Sequence, residues 1–242
     1  KDGGLAGPRV LEHTVDTVMH FEGDRDGALR LLRVIKHRFG ATDRVGMFRM
    51  TKRGIESLDD PSGLLLADRQ AGVPGSAVVA VLEGHRPVLV EVQALVSPRP
   101  AGSGGCGTRT VAGLVPRRID LILAVLAQRA QLDLSSADVF VSVAGGLTVR
   151  EPAADLAIAA AVVSSATLRA VPGDVMMLGE VGRTGELRSV PEPSRRISEA
   201  ARLGFSRIVA PRDRSVRPAG GEVEWARSAR LQQVATLGEA MH

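Results

Sequence analysis

Gly145-Gly146-Leu147-Thr148-Val149-Arg150-Glu151-Pro152-Ala153-Ala154-Asp155-Leu156 is a glycine-rich turn that feeds the start of a helix. Just before it, residues 139–143 read as a short buried strand. After it, an apolar helix over 153–168 leads to another strand at 175–178. Strand, glycine turn, helix and strand in that order predict an α/β domain. A helix start carries unpaired N–H groups and positive potential, so the turn suits an oxyanion or a phosphate.

Outward from this segment the same pattern continues. Residues 77–82 and 88–96 are near-continuous apolar strands around a turn at Gly84, which predicts a hairpin. Residues 97–115 form a Pro/Gly/Arg-rich loop. Pro116 opens a helix whose apolar set is Ile119, Ile122, Leu123 and Leu126. An amphipathic helix over 194–203 stops at Gly204, a strand follows at 208–210, and Thr236-Leu237-Gly238-Glu239 is a capping-box start. Toward the N-terminus, 10–21, 29–35 and 45–50 read as three strands, a sheet fragment too small to close a core alone. Leu58-Asp59-Asp60-Pro61-Ser62-Gly63 has turn chemistry and reads as a linker. The expected organisation is therefore 1–57, a linker at 58–63, and a full domain over 64–242.

At 242 residues with 44% hydrophobic content the chain can bury a real core, built from Ala, Val and Leu because aromatics are only 2%. With no tyrosine and one tryptophan it lacks the rings on which single-stranded bases usually stack. The net charge is +4 and the pI near 10.1, a balance that permits binding to phosphate backbones without demanding it. Cys106 is the one cysteine, so intrachain disulfides and cysteine-based zinc sites are excluded. No metal-ligand spacing is present, so no metal site is expected. The N-terminus has no signal pattern and the run 153–166 is too short to span a bilayer, so a cytoplasmic protein without a membrane partner is expected.

Lys36-His37-Arg38-Phe39-Gly40 stands out because Lys1, Lys36 and Lys52 are the only lysines. At the end of an apolar strand, residues two apart project to one side, so Lys36 and Arg38 would point together. Phe39-Gly40 then turns the chain. Two readings stand: a phosphate clamp, with Arg38 as a planar fork and Lys36 as a point charge, or a charged and solvated strand end. The stretch 29–40 resembles the lysine-asparagine-arginine-phenylalanine-glycine signature of the bacterial RadA (Sms) family of DNA repair ATPases, with His37 where asparagine is usual. Residues 1–22 resemble the final part of that family's RecA-like motor, a mobile loop leading into a strand carrying Val15, Val18 and Phe21. The resemblance implies that Lys36 and Arg38 reach the ATP phosphates of a neighbouring protomer.

Residues 145–156 are similar to the Lon protease fold, whose helix begins with a Pro-Ser-Ala nucleophile motif. Ala153 stands where the serine would be, and a methyl group has no oxygen for attack. The general-base lysine of that fold falls at Ser194, within a residue or two. No lysine follows Lys52, and arginine stays protonated, so Ser–Lys peptidase chemistry is excluded. His85, in a hairpin turn, and the serines at 135, 136, 164 and 165 offer no alternative triad. The fold class implied is α/β: the C-terminal β-strands of a RecA-like ATPase core followed by a Lon protease-like α/β domain.

Arg109, Arg117 and Arg118 flank the 97–115 loop and the next helix. They read either as contacts to DNA phosphates or as a solvated face, with Lys1 as a further DNA-binding candidate. The resemblance implies a homo-hexameric, ATP-driven motor for branch migration, acting on single-stranded or branched DNA and partnered by a RecA recombinase. ATP and Mg belong to the complete protein, because the ATP-cradling loop and the family's zinc finger are not in this sequence; this chain alone is expected to bind neither. The rival readings are a purely structural hexamerisation module without DNA contact and, disfavoured by Ala153 and the missing lysine, a peptidase.

Overall fold

The computed structural model describes residues 10–23, 29–99, 105–213 and 228–241; Lys1, a DNA-binding candidate, lies outside them. The chain divides into two compact units, Lys1–Asp59 with Glu83–Arg86, and Asp60–Leu82 with Pro87–His242.

The first unit is a short helix α1 (Val10–Thr14) and an antiparallel meander, β1 (Thr17–Glu22), β2 (Leu29–His37), β3 (Val45–Thr51) and β4 (Gly54–Ser57), in that spatial order. Leu29, Leu31 and Met47 are its well-buried apolar residues. Leu31 and Met47 are cross-strand partners, so burial concentrates on one row of the sheet. The segment 10–21, expected to be one strand, is helix and then strand. Its apolar residues Val15, Val18 and Phe21 recur every three positions, a period that does not force an extended backbone. A bulge between Val18 and Met19 absorbs the mismatch. Strand β4 escapes a periodicity reading because Gly54-Ile55-Glu56-Ser57 holds one apolar side chain.

The second unit carries a seven-stranded sheet in the order β13-β12-β9-β5-β6-β8-β7. Its strands are β5 (Ser76–Glu83), β6 (Arg86–Pro98), β7 (Arg109–Ala112), β8 (Ala137–Val143), β9 (Val175–Met177), β12 (Arg207–Pro211) and β13 (Arg230–Val234); β10 (Glu180–Val181) and β11 (Leu187–Arg188) form a separate antiparallel pair. β5 is central and almost wholly buried, which is why it reads as an unbroken apolar run. β8 alternates buried and open positions, as a strand with one covered face must. β7 lies inside the stretch 97–115 that composition marks as a loop; four residues with two apolar ones leave too little pattern to detect.

Helix α3 (Pro116–Arg129) packs against α4 (Asp155–Thr167), whose Leu156, Ala157, Ala159, Ala161 and Val162 are fully enclosed. The serines of α4 are structural: Ser164 Oγ accepts from Gly75 N–H at 3.0 Å and Ser165 Oγ from Val96 N–H at 2.9 Å. Asp60 caps α2 (Pro61–Leu66) by accepting from Gly63 N–H at 3.1 Å. Residues 61–63, expected in the linker, are thus the first turn of that helix. At the C-terminus Thr236 caps α6 (Leu237–Ala240), with Glu239 returning a carboxylate to Ala235 N–H at 2.8 Å.

Ser62 joins three elements of the second unit. Wholly buried, its hydroxyl accepts from Leu89 N–H at 3.0 Å and donates to Glu199 on α5 (Pro193–Arg202) at 2.8 Å. Ser62→Ala strands the buried Leu89 N–H, while Glu199 keeps Arg202, and is expected to cost about 1–3 kcal/mol. A lower urea midpoint at unchanged m value is the expected result.

Candidate functional site

The turn Pro152–Ala154 leads into α4 and is stitched to the strand region beyond it. Ala153 O accepts from Gly179 N–H at 3.0 Å, and Gly179 O accepts from Leu156 N–H at 3.1 Å. The Ala153 side chain is 1% exposed, whereas Ser194, at the start of α5, is exposed. Upstream, Gly145 and Gly146 adopt φ of +79° and +74°, the left-handed region that only glycine enters without strain.

An ion pair joins these same two segments. Arg196, two residues after Ser194, has no exposure at all and lies against Glu151, the residue before Pro152. Its Nη1 and Nη2 donate to the two Glu151 oxygens at 2.7 and 2.6 Å, a bidentate fork. Nη1 also donates to Ala80 O at 2.6 Å and Nε to Pro191 O at 2.9 Å, while Glu151 accepts Leu82 N–H at 2.8 Å. Periodicity does not find Arg196, because a charged residue on an amphipathic helix normally marks the solvent face; the Arg195-Arg196 pair is the one local hint.

A fully buried carboxylate lies at the start of α4. Asp155, fully enclosed, accepts from Arg118 Nε and Nη2, each at 2.5 Å, and from Val181 N–H at 3.0 Å. Burial pushes the Asp155 carboxyl above its ordinary range even so, while the hydrogen bond that Arg118 donates to Asp155 raises the Arg118 guanidinium. The two directions fit one geometry. Arg118 keeps about a quarter of its side-chain surface in water, and Asp155 keeps none and bears the desolvation. Beside the turn, between Arg118, Val149 and Glu151, the remaining recess is about 10 Å³. That is the space of one water, against hundreds of Å³ for a ligand pocket.

The expected DNA-binding arginines are not brought together as one free cluster. Arg109 donates to Ala137 O at 2.5 Å and to Leu134 O at 2.8 Å, fastening the turn that precedes β8. Arg118 is committed to Asp155 and Glu180. Arg117, at the start of α3, is exposed. Sequence grouped the three because they are near neighbours; the heads of Arg109 and Arg118 serve different partners.

In the first unit, Lys36 Nζ donates to Glu12 O at 2.8 Å and Val15 O at 2.9 Å, satisfying carbonyls at the end of α1. Arg38 is 70% exposed along its side chain, touches Asp16 at 3.3 Å and lies over the Phe39 ring at 5.7 Å. Lys36 is therefore tied to its own unit, while Arg38 is loosely held and outward. Among the described residues, no group of three or more His, Cys, Asp or Glu side chains suits a metal ion, and no helix is long and apolar enough to cross a membrane.

Arg196→Ala empties an enclosed site and leaves Glu151, a quarter exposed, with the Leu82 N–H alone; it is expected to destabilise the second unit by about 2–5 kcal/mol. Calorimetry of the intact chain measures this. Ala153→Ser with Ser194→Lys is expected to yield no turnover of an unfolded protein substrate, since position 153 is enclosed and a serine there does not meet solvent.

Residues 124–218 match the family of Lon protease (S16) C-terminal proteolytic domains. Over 165 residues, 68% of this chain, the sequence is 50% identical to a DNA repair protein RadA of Mycolicibacterium smegmatis and covers 34% of that protein. The RadA proteins of Aquifex aeolicus and Pseudomonas aeruginosa are each 50% identical over the same length, with 36% of each covered. The matched stretch thus spans about a third of the length of these curated relatives. With half of the matched residues identical and a Lon-type α/β domain in place, the chain belongs to the RadA family, as its C-terminal portion with the Lon protease-like domain.

Proposed function

We propose that this chain works in DNA repair as the C-terminal part of an ATP-driven, ring-forming DNA motor whose Lon-like domain has lost peptidase chemistry. The observation that carries the reading is the 50% identity to RadA repair proteins over 165 residues. The outward Arg38 adds to it: exposed and weakly paired, this guanidinium is free to stabilise charge on a phosphate held by a neighbouring protomer. ATP with Mg supplies the phosphoryl chemistry when bound in the complete protein. Lys36 fits a different role from that expected, because its ammonium already serves two carbonyls of its own unit. In this reading it holds α1 against the strand end from which Arg38 projects. The setting is a cytoplasmic homo-hexamer that extends recombination intermediates alongside a RecA recombinase.

For the Lon-like domain, two roles divide on the arginines. Arg109 and Arg118 spent on internal partners favour ring assembly over DNA contact. DNA contact through this domain would rest on the exposed Arg117 and lose little when Arg109 or Arg118 is considered alone. A salt titration of DNA binding by this chain separates the roles: a steep loss with salt supports phosphate contact, and no binding at low salt supports the scaffold.

In the complete ring, Arg38→Ala is expected to lower DNA-stimulated ATP hydrolysis by about 10³-fold or more while the assembly persists. Lys36→Ala is expected to lower thermal stability as well, since it uncaps Glu12 and Val15. Partial recovery on mixing Arg38→Ala with a subunit defective in its ATP loop supports action between subunits; normal hydrolysis by Arg38→Ala rings overturns it.

A further inference from the structure

The turn that carries Arg38 is held from beneath by a side chain with no assigned role. His37 pairs in register with Thr17 across β1 and β2, and its Nδ1 lies 2.9 Å from Thr17 Oγ1. The far edge of the same ring lies under Gly40. A Cβ built on Gly40 would stand 2.5 Å from His37 Cδ2 and 2.7 Å from Nε2, closer than real atoms approach. Gly40 does not have a positive φ, so backbone conformation is not what requires glycine there. The ring requires it. Because Thr17 holds one end of the imidazole, the ring cannot swing aside without breaking that hydrogen bond.

We propose that His37 is a positioning residue for Arg38: its ring, pinned to Thr17 and wedged under Gly40, fixes the turn Arg38-Phe39-Gly40 so that the guanidinium projects in one direction. The remaining restraints on Arg38 are few. Its N–H donates to Asp16 O at 2.9 Å, and its head makes only a 3.3 Å contact to Asp16 and the stack on Phe39, itself 77% exposed. A long side chain so loosely tied owes its aim to the backbone beneath it. The inference rests on the phosphate role proposed for Arg38, and it adds the element that orients that arginine. Misplacing a charge-stabilising group by about 1 Å costs on the order of 10²-fold in rate.

The test is a double-mutant cycle between His37 and Gly40, read two ways. In the complete ring, His37→Ala is expected to lower kcat for ATP hydrolysis by about 10- to 100-fold with KM little changed, because a misaimed arginine loses charge stabilisation rather than nucleotide affinity. Gly40→Ala should cause a similar loss, and in the His37→Ala background it should add nothing, since the ring it would strike is gone. Additive losses overturn the wedge. The second reading is hydrogen exchange at the Arg38 amide in this chain, without nucleotide. Faster exchange in His37→Ala and in Thr17→Val supports the lock, and exchange as slow as in the parent overturns it. Should Arg38→Ala rings hydrolyse ATP normally, the phosphate reading falls, and the exchange measurement still decides whether His37 holds the turn.

Discussion

The fully buried guanidinium of Arg196 is the constraint around which the second unit is arranged. Removing such a cation from water is tolerable only where every donor finds an acceptor and a carboxylate balances the charge. Glu151 supplies the carboxylate, and Ala80 and Pro191 supply carbonyls. These partners come from the central strand β5, from the approach to α4 and from the approach to α5. One side chain therefore fixes the positions of three chain segments. By the resemblance to Lon-type peptidases, these two approaches correspond to the segments that would carry a nucleophile and a base. Here an ion pair lies between them, and Asp155 with Arg118 closes the next turn of α4 in the same manner. In the proposed non-proteolytic reading, this ion pair stands beside the two substituted positions, Ala153 and Ser194.

The first unit is held differently. Its meander has few deeply buried side chains, and Met19, Phe21, Ile35, Met50 and Ile55 are each more than 40% exposed. An apolar sheet face of that kind ordinarily marks a surface that meets another part of a protein. Local devices then carry much of the order: the lysine cap on α1, the bulge at Val18 and Met19, and the histidine wedge under Gly40. They hold a strand end and its turn, the part of this unit from which Arg38 projects.

What sequence revealed follows what burial imposes. Long apolar runs such as β5 and the alternation in β8 were legible because covered faces select residue types at a fixed period. The glycine pair before α4, the Pro-Ala-Ala turn and the helix stop at Gly204 were legible because backbone geometry restricts who can stand there. Strands β4, β7, β10 and β11 were not, since each is short and holds at most two apolar side chains, unlike the all-apolar β9. Strand β13 was missed because Arg230-Leu231-Gln232-Gln233-Val234 is mostly polar, as suits a strand at the sheet edge. α1 was read as strand because its side chains share the spacing of the segment that follows. Arg196 and Asp155 were invisible as a matter of principle: burial of a charge depends on partners distant in the chain, and no local pattern records them.

Arginine content also misleads when it is read as a nucleic-acid signal. In this chain the enclosed Arg196 pairs with a partly exposed carboxylate, Arg118 with a fully buried one, and Arg109 gathers the carbonyls of a turn. Arg69 lies over the Phe205 ring at 5.6 Å with its Nη1 on Gly173 O, and desolvation lowers its pKa. Each uses the planar fork and weak hydration that let arginine, unlike lysine, enter a protein interior. A basic isoelectric point built from such residues measures how the fold is fastened as much as what it binds. The cations that remain to act on another molecule are those, like Arg38, whose surroundings fix the backbone and leave the head group open.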